Sequence, residues 1–526
     1  MNNACRDGNI VCCAPRRYHC MLKTKIILNT LLLTCVSLLL RCVGLYFQVI
    51  LTDRLGTEGL GLFQLVLSVH TLAVTVAVSG IRYAAARLVS EELGAGRPSG
   101  VRGVMLRCLT LALVCGAVSC TLVRMFAVNF AAALTGEPRV ASSLRVLAFG
   151  LPFLALSSAI SGYFTAVLRV AKASAAQVLE QVSMIALTLI LLPAGSCTAI
   201  EEACVKVCIA AVAADVLSFI VSLVLYLHDR AKYGESGGRP APDCGRRLAG
   251  LAIPLALTSY ARTALSTLRH VLVPKGLERH GYSPEKALSA FGTLHGMTFP
   301  VLTFPSALFY AVSDVLIPNL TEAQMRGNTE KAGHIVSYIL RLCFVFSVGV
   351  SAVFLAFGNE LALAVFKNRD AGNYIVALSP LVLVMYMDSV ADGMLKGLGE
   401  QFYSMLINIA DAAMSLLLVF YIIPAAGMRG YLAIILFSEC FNFTLSMRRL
   451  SKTVPVSVSA RDIFSPPLCA AAGICIARAV LQLCGLGLIP SGFSCVLHIV
   501  FSGLIYAALL RSVSPATVSL SFPGKL

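Results

Sequence analysis

The chain has 526 residues, of which 58% are hydrophobic and 13% charged, with a formal net charge of +16. A soluble domain carries about 25% charged residues, so a soluble fold with a single anchor is excluded, and the mean hydropathy of +0.83 points to apolar segments throughout. The basic excess does not read as a nucleic-acid surface either, because Lys and Arg are scattered through short loops, the pattern that the positive-inside rule produces.

The first 25 residues form a leader ahead of the first long apolar run. It holds Cys5, Cys12, Cys13, His19 and Cys20 but no CxxC pair, so it does not read as a zinc site. Met21, followed by LKTKIILNTLLL, is an alternative start. The first apolar run is too long for a signal peptide and lacks a small-residue cleavage site. Most of the 19 cysteines sit inside apolar runs, for example Cys35, Cys42, Cys108, Cys115 and Cys343, where they act as small hydrophobes.

About 14 apolar segments follow, near 26–50, 60–83, 104–126, 145–168, 176–195, 203–227, 248–273, 288–318, 336–357, 374–396, 403–424, 428–447, 464–484 and 492–510. Each is of the order of the ~20 residues that cross a bilayer as helix. Basic residues crowd alternate loops: Arg82, Arg87, Arg97 and Arg102; then Arg230, Lys232, Arg239, Arg246 and Arg247; then Arg448, Arg449, Lys452 and Arg461. That alternation predicts an even number of membrane crossings, with both termini in the cytoplasm. The fold class is therefore all-α and polytopic. The expected organisation is a cytoplasmic leader (1–25), a first bundle (26–227), a cytoplasmic linker (228–247) and a second bundle (248–447). A cytoplasmic loop (448–463), two added helices (464–510) and a cytoplasmic tail (511–526) complete it.

Charges inside apolar segments are the candidate functional groups. Arg41 sits near the middle of the first segment, where an arginine costs about 2.5–3.5 kcal/mol on insertion scales. The seventh segment repeats the plan with Arg262, 14 residues after Leu248, as Arg41 is 15 after Ile26. Repeated bundles with a site between them are a common transporter plan. Arg269 and His270 lie further along, where they could serve a cavity or reach headgroups. Asp388, Asp392 and Lys396 recur every four residues and so share a helix face, as do Glu439 and Asn442 at a spacing of three. The first three could form a gate or a packed polar group; Glu439 could be a site or a structural ion pair. Asp314 falls toward the end of a segment that Gly292, Gly296, Pro300 and Pro305 should kink or interrupt. The candidate cavity residues are thus Arg41, Arg262, Arg269, Glu439 and Asn442, and the candidate gating residues Asp388, Asp392, Lys396 and Asp314. No Walker A, HExxH or Gly-rich dinucleotide motif is present, so no enzyme activity, metal or cofactor is expected.

Several ordered motifs resemble one family. LTDRLGTEGLGLFQL, VAVSGIRYAAARLVSEELGAG, FGTLHGMTFPVLTFPSAL, LIPNLTEA and YMDSVADGMLKGLGEQFYSMLINIADAAMSLLLVFYIIPAAGMRGYLAIILFSECFNFTL are similar to the stage V sporulation protein B-like polysaccharide flippases. These belong to the multidrug/oligosaccharidyl-lipid/polysaccharide exporter superfamily, with the lipid II flippases of the MurJ type. The resemblance spans about 24–510. It implies two six-helix bundles around a V-shaped cavity, two added C-terminal helices and alternating access. It further implies a lipid-linked, pyrophosphate-bearing glycan as substrate among membrane lipids, with H+ or Na+ as candidate coupling ions. Arg41 matches a required first-helix arginine by placement; Arg262 matches a cationic position of the seventh helix approximately. Many members carry an acid in helix seven where this chain has Leu268, Arg269 and His270. A cation-coupled multidrug exporter is the alternative, and would have an acidic, aromatic cavity without central arginines. A membrane glycosyltransferase would need a long acidic loop, which is missing.

Overall fold

The computed structural model describes residues 13–78, 80–97, 100–193, 195, 199–230, 244–307, 320–457, 459–483 and 492–513, with side chains from Cys35 onward apart from a few positions. Among these residues there are helices and turns but no strands. The predicted linker falls largely within 231–243, outside the described residues, as does Asp314.

Helix α1 (Cys13–Val78) begins ahead of the predicted start at 26, and non-helical Gly56 (φ 67°) divides it. Gln48 and Leu60 both lie against Gly296. Twelve residues of straight helix would hold them ~18 Å apart, so the chain doubles back at Gly56. A glycine is needed there because a side chain resists positive φ. α2 (Ile81–Gly94), α3 (Gly100–Asn129), α4 (Val140–Leu147), α5 (Leu151–Ala166), α6 (Val170–Leu191) and α7 (Ile200–Arg230) complete a first half. α3 shows how the sequence sorts its faces. Its small residues Ala112, Gly116, Ser119 and Ala127 are buried, whereas Leu106, Leu113 and Met125 are exposed. Small residues let backbones approach in a membrane, and large apolar ones face lipid.

The second half opens with α8 (Cys244–Arg279), which carries both Arg262 and Arg269. The proline-bearing segment that follows is broken as its sequence predicts. α9 (Pro284–Gly292) passes into a π turn (Thr293–Thr298), then α10 (Phe299–Thr303), then a 3-10 turn (Phe304–Ser306). Pro300 and Pro305 each remove a backbone donor. α11 (Thr329–Phe366) and α12 (Arg369–Gly397) pack along one another. α13 (Gln401–Thr453) carries a second non-helical glycine, Gly427. Ser415 and Ser438, 23 residues apart, hydrogen-bond at 2.8 Å; a straight helix would hold them ~35 Å apart, so α13 also doubles back. α14 (Ala460–Leu483) and α15 (Gly492–Val513) pack on each other and on α11.

Ten helices among the described residues are long and apolar enough to cross a membrane. Two of these, α1 with α2 and α13, contain two arms each. With α8 and the broken segment, the set is consistent with fourteen crossings in an all-α, multi-pass membrane protein.

The halves meet along α1. Its second arm runs antiparallel to α8: Ser68 O accepts from Thr267 (3.1 Å), and Val76 O from Tyr260 (3.2 Å). Its first arm runs beside the broken segment. At the Gly56 end the Thr57 hydroxyl accepts from Ser289 (2.7 Å). There, a Cβ at Gly61 would lie 2.0 Å from Leu288 O, and one at Gly292 2.4 Å from Gly61 N. Two backbones touch at that point because neither residue has a side chain.

Candidate functional site

Arg41 lies on the first arm of α1, against the 3-10 turn of the opposite half. Its Nη1 donates to Thr303 O and Ser306 Oγ, both at 3.4 Å. These acceptors exist because the helix is broken. The turn frees carbonyls from the helical ladder, and side chains take them up: Tyr386 donates to Leu302 O (2.6 Å) and Ser306 to Thr303 O (2.7 Å). The prolines thus build a polar spot at membrane depth, and Arg41 occupies it.

An apolar cavity of about 570 Å³ opens beside this spot. Leu45, one turn from Arg41, forms one wall together with Phe304 and Pro305, the two residues between Arg41's acceptors. Phe346 and Phe354 of α11, Ile474 of α14 and Tyr506 of α15 form the rest. The two added C-terminal helices are therefore a wall of this groove. Tyr506 docks α15 by donating to Val345 O (2.8 Å) and packing on Gly349, and Arg478 docks α14 by donating to Ala356 O (2.7 Å).

Arg262 and Arg269 sit elsewhere. At 1.5 Å per residue, Arg41 is ~22 Å from the Gly56 turn, Ser68 ~18 Å and Thr75 ~28 Å. Thr75 hydrogen-bonds Thr263 and Ser68 meets His270. Arg41 thus lies between the levels of Arg269 and Arg262, rather than level with Arg262 as the repeat suggests. The Arg262 side chain is exposed.

Arg269 lines a second cavity, of about 220 Å³, inside the second half. His270, His295, Tyr431, Ser438 and Glu439 line it too. His295 Nε2 and the Tyr431 hydroxyl are 2.9 Å apart, and the His270 and His295 rings lie tilted against each other with centroids 4.8 Å apart. Ser438 donates to Asp411 Oδ1 (2.5 Å). Among the described residues Arg269 forms no ion pair within 4.0 Å, and its buried Nε has no hydrogen-bond partner. Two of the sequence candidates, Arg269 and Glu439, are thus brought together. Asn442, one turn on, has a buried Oδ1 without a partner and does not line the cavity.

The three candidate gating residues of α12 divide. Asp388 is buried with Oδ1 unpartnered. Asp392 accepts from Lys396 and from Ser404 of α13, all within the second half. In the first half, Asp229 is fully buried and meets Arg169, Lys172 and Tyr163, which ties α5, α6 and α7 at one end. At the Gly56 end Arg139 bridges Glu137 (3.0 Å) and Glu58 (2.9 Å). Glu137 first, and then Glu58, hold its guanidinium above its usual value against the effect of burial.

Sequence reasoning passed over His295, Glu180 and Asp215. Glu180 and Asp215 each stand alone in an apolar run, and that isolation was the available signal. His295 lies inside a quoted motif between Gly292 and Pro300, and only the fold places it beside Glu439.

The profile of the polysaccharide biosynthesis protein family matches residues 26–324. The chain belongs to this family. Solved structures of similar fold include a flippase and a multidrug transporter. Stage V sporulation protein B of Bacillus subtilis (strain 168) is 24% identical over 476 residues, covering 88% of this chain and 89% of that protein. Sporulation protein YkvU of the same organism is 21% identical over 385 residues, covering 71% and 83%. Lipid II flippase MurJ in an inward closed conformation superposes with TM-score 0.71 at 11% identity, over 93% of this chain and 100% of that one. An inward-facing multidrug resistance MATE transporter of the MOP superfamily gives 0.63 at 16% identity, over 79% and 95%. The fold is shared with both, and the resemblance seen in the motifs agrees with the family.

Proposed function

We propose that this polysaccharide biosynthesis protein is a flippase for a lipid-linked glycan of the polyprenyl pyrophosphate type. It works by alternating access across the bacterial cytoplasmic membrane, with H+ or Na+ as the driving ion. The observation that carries this reading is the junction of Arg41 with the 570 Å³ apolar groove. A lipid-linked glycan has a long hydrocarbon tail, a pyrophosphate and a polar sugar. A flippase must accept all three at once and shield the charge from hydrocarbon. The groove fits the tail. Arg41, at its rim, offers a planar fork of donors that stays charged in a low-dielectric setting. Its bonds to Thr303 O and Ser306 Oγ are long at 3.4 Å, and phosphate oxygens are stronger acceptors for the same guanidinium. Arg262, one level further from Gly56 and exposed, meets the anion further along the path. Asp388, Asp392 and Lys396 contribute to a gate at the opposite end from Gly56.

The multidrug reading is supported by the shared MATE fold and by the carboxylates Asp411 and Glu439. Arg269 in the same cavity opposes a cationic drug there. The deciding experiment is translocation of a labelled prenyl-pyrophosphate saccharide by the full chain in proteoliposomes. Transport that Arg41→Ala abolishes supports the flippase; efflux of a cationic dye with no movement of lipid rejects it. In the proposed orientation both termini and Gly237 face the cytoplasm and His280 faces outside, which cysteine labelling at 237 and 280 checks. The likeness to sporulation proteins supports spore or cell-wall synthesis as the setting of this glycan.

A further inference from the structure

The Arg269 cavity has features that a structural ion pair does not need. A pair would close on itself, yet Arg269 and Glu439 line 220 Å³ of open space without contact within 4.0 Å among the described residues. That volume holds about seven waters at ~30 Å³ each. The charged and titratable groups around Glu439 come from every packed element. α8 contributes Arg269 and His270, the π turn His295, α12 Asp388, and the two arms of α13 Asp411 and Tyr431. One guanidinium stands near two carboxylates, Asp411 and Glu439, with a third, Asp388, beside Glu439, at membrane depth, where uncompensated charge is costly. Further positive charge has to be accommodated. A metal ion would sit beside a fixed guanidinium, and the described residues contain no His, Cys, Asp and Glu cluster able to hold one. A proton fits, because it binds one oxygen or ring nitrogen and needs no coordination shell.

The cavity also touches the other half of the molecule. Ser68, on the second arm of α1, spends its hydroxyl proton on Gln64 O (2.8 Å). At the 3.3 Å contact between Ser68 Oγ and His270 Nδ1, the histidine is therefore the donor. That assigns the proton of neutral His270 to Nδ1 and leaves its Nε2 as an acceptor.

We propose that the Arg269–Glu439 cavity is a proton-binding site, with Glu439 and the His270–His295 pair as acceptors, and that its occupancy is read at the interface between halves through His270 and Ser68. The proton enters from water on one face and returns to water on the other, and no other bond is made or broken. Protonation changes the charge beside Arg269 and so its pull on Glu439. Because His270 follows Arg269 in the chain, the change moves the Ser68 contact. The proposal rests on the alternating-access reading but not on the identity of the substrate.

The test uses the full chain in proteoliposomes on a solid-supported membrane, without substrate. A pH jump should give a transient charge displacement, and a Na+ jump none. Glu439→Gln, and separately His295→Gln, should lose the transient, while Asp53→Asn on the exposed Gly56 turn should keep it. Ser68→Ala should keep the transient but lose the pH-dependent change in distance between spin labels at residues 53 and 285. A transient unchanged in both Glu439→Gln and His295→Gln, or one driven by Na+, overturns the proton site. A Ser68→Ala protein whose distances still respond to pH overturns the coupling. Should Glu439→Gln fail to fold, His295→Gln decides alone. Failure of lipid translocation in the earlier assay leaves these currents unaffected, so the two readings fail separately.

Discussion

The two halves carry half-buried acids on corresponding helices and compensate them differently. In the first half, Glu180 of α6 and Asp215 of α7 lie close enough to interact. Ser218 beside Glu180 donates to Ala176 O (3.2 Å), and Asp215 Oδ2 lies 3.0 Å from where a Cβ on Gly150 would stand. Among the described residues no cation contributes to the environment of either acid. In the second half, Asp411 and Glu439 occupy the two arms of α13, and Arg269 stands near both. The repeat that aligns Arg41 with Arg262 aligns Gln48 with Arg269. Gln48 is neutral, its Nε2 is buried without a partner, and it lies against Gly296 across the seam. One half thus carries its cation against the broken helix of the other and grips across the seam. The other turns its cation inward to its own acids. A shared topology can place the same functional group at the interface in one half and in a private cavity in the other.

The largest expected effect tests the outward-gripping side. Arg41→Ala should reduce lipid translocation to the level of empty vesicles while the purified protein keeps its melting temperature, since removing an arginine at membrane depth lowers insertion cost. Arg41→Lys should restore part of the activity, because a point charge replaces a bidentate fork. Normal transport by Arg41→Ala would erase the functional contrast between the halves.

Next comes the inward-turned cation. Arg269→Leu should destabilise the protein by about 2–3 kcal/mol, below the full range for breaking a buried pair because the cavity is roomy. Gln48→Leu should change stability by less than about 1 kcal/mol, since an amide that already lacks a partner loses little. Chemical unfolding in detergent measures both. Adding Glu439→Gln to Arg269→Leu should recover part of the loss, and strict additivity would mean the two groups do not interact.

The seam supplies a third test. Gly61→Ala and Gly292→Ala each drive a methyl into backbone of the opposite half. Both should shift the population toward states parted at the Gly56 end, read as longer distances between labels at 53 and 285. Gly59→Ala meets only side chains of Leu55 and Ile200, at 3.1 and 3.2 Å, and should behave nearly as wild type.

The smallest effect is expected at Asp392. Its ion pair with Lys396 is partly exposed and should be worth no more than about 1 kcal/mol. Asp392→Asn should therefore leave stability almost unchanged while altering the balance of inward- and outward-open states in crosslinking. An unaltered balance with full transport would leave Asp392 a packing residue only.

Much of this protein was legible in its amino-acid order. Apolar runs of spanning length announced a multi-pass helical protein, because a helix is one of the two folds that satisfy the backbone in lipid. Pro300 and Pro305 announced a broken helix, because neither can donate. Arg41 stood out because its cost at that depth demands a partner. The partners were not legible. That Arg41 reaches Thr303 and Ser306, more than 260 residues away, depends on how α1 packs on the broken segment. Spacing likewise put Asp388, Asp392 and Lys396 on one face, but only packing against α13 buried the first, half-buried the second and left the third exposed. Arg269 and His270 read equally well as headgroup contacts, since one helix cannot reveal what faces it. The packing of α8 against the broken segment and the second arm of α13 brought them beside His295, Tyr431 and Glu439. Local physics determined which segments are helices, where they break and which charges need company; tertiary structure alone chose that company, because contacts between distant arms depend on close backbone approaches such as that of Gly61 and Gly292, which no single segment encodes.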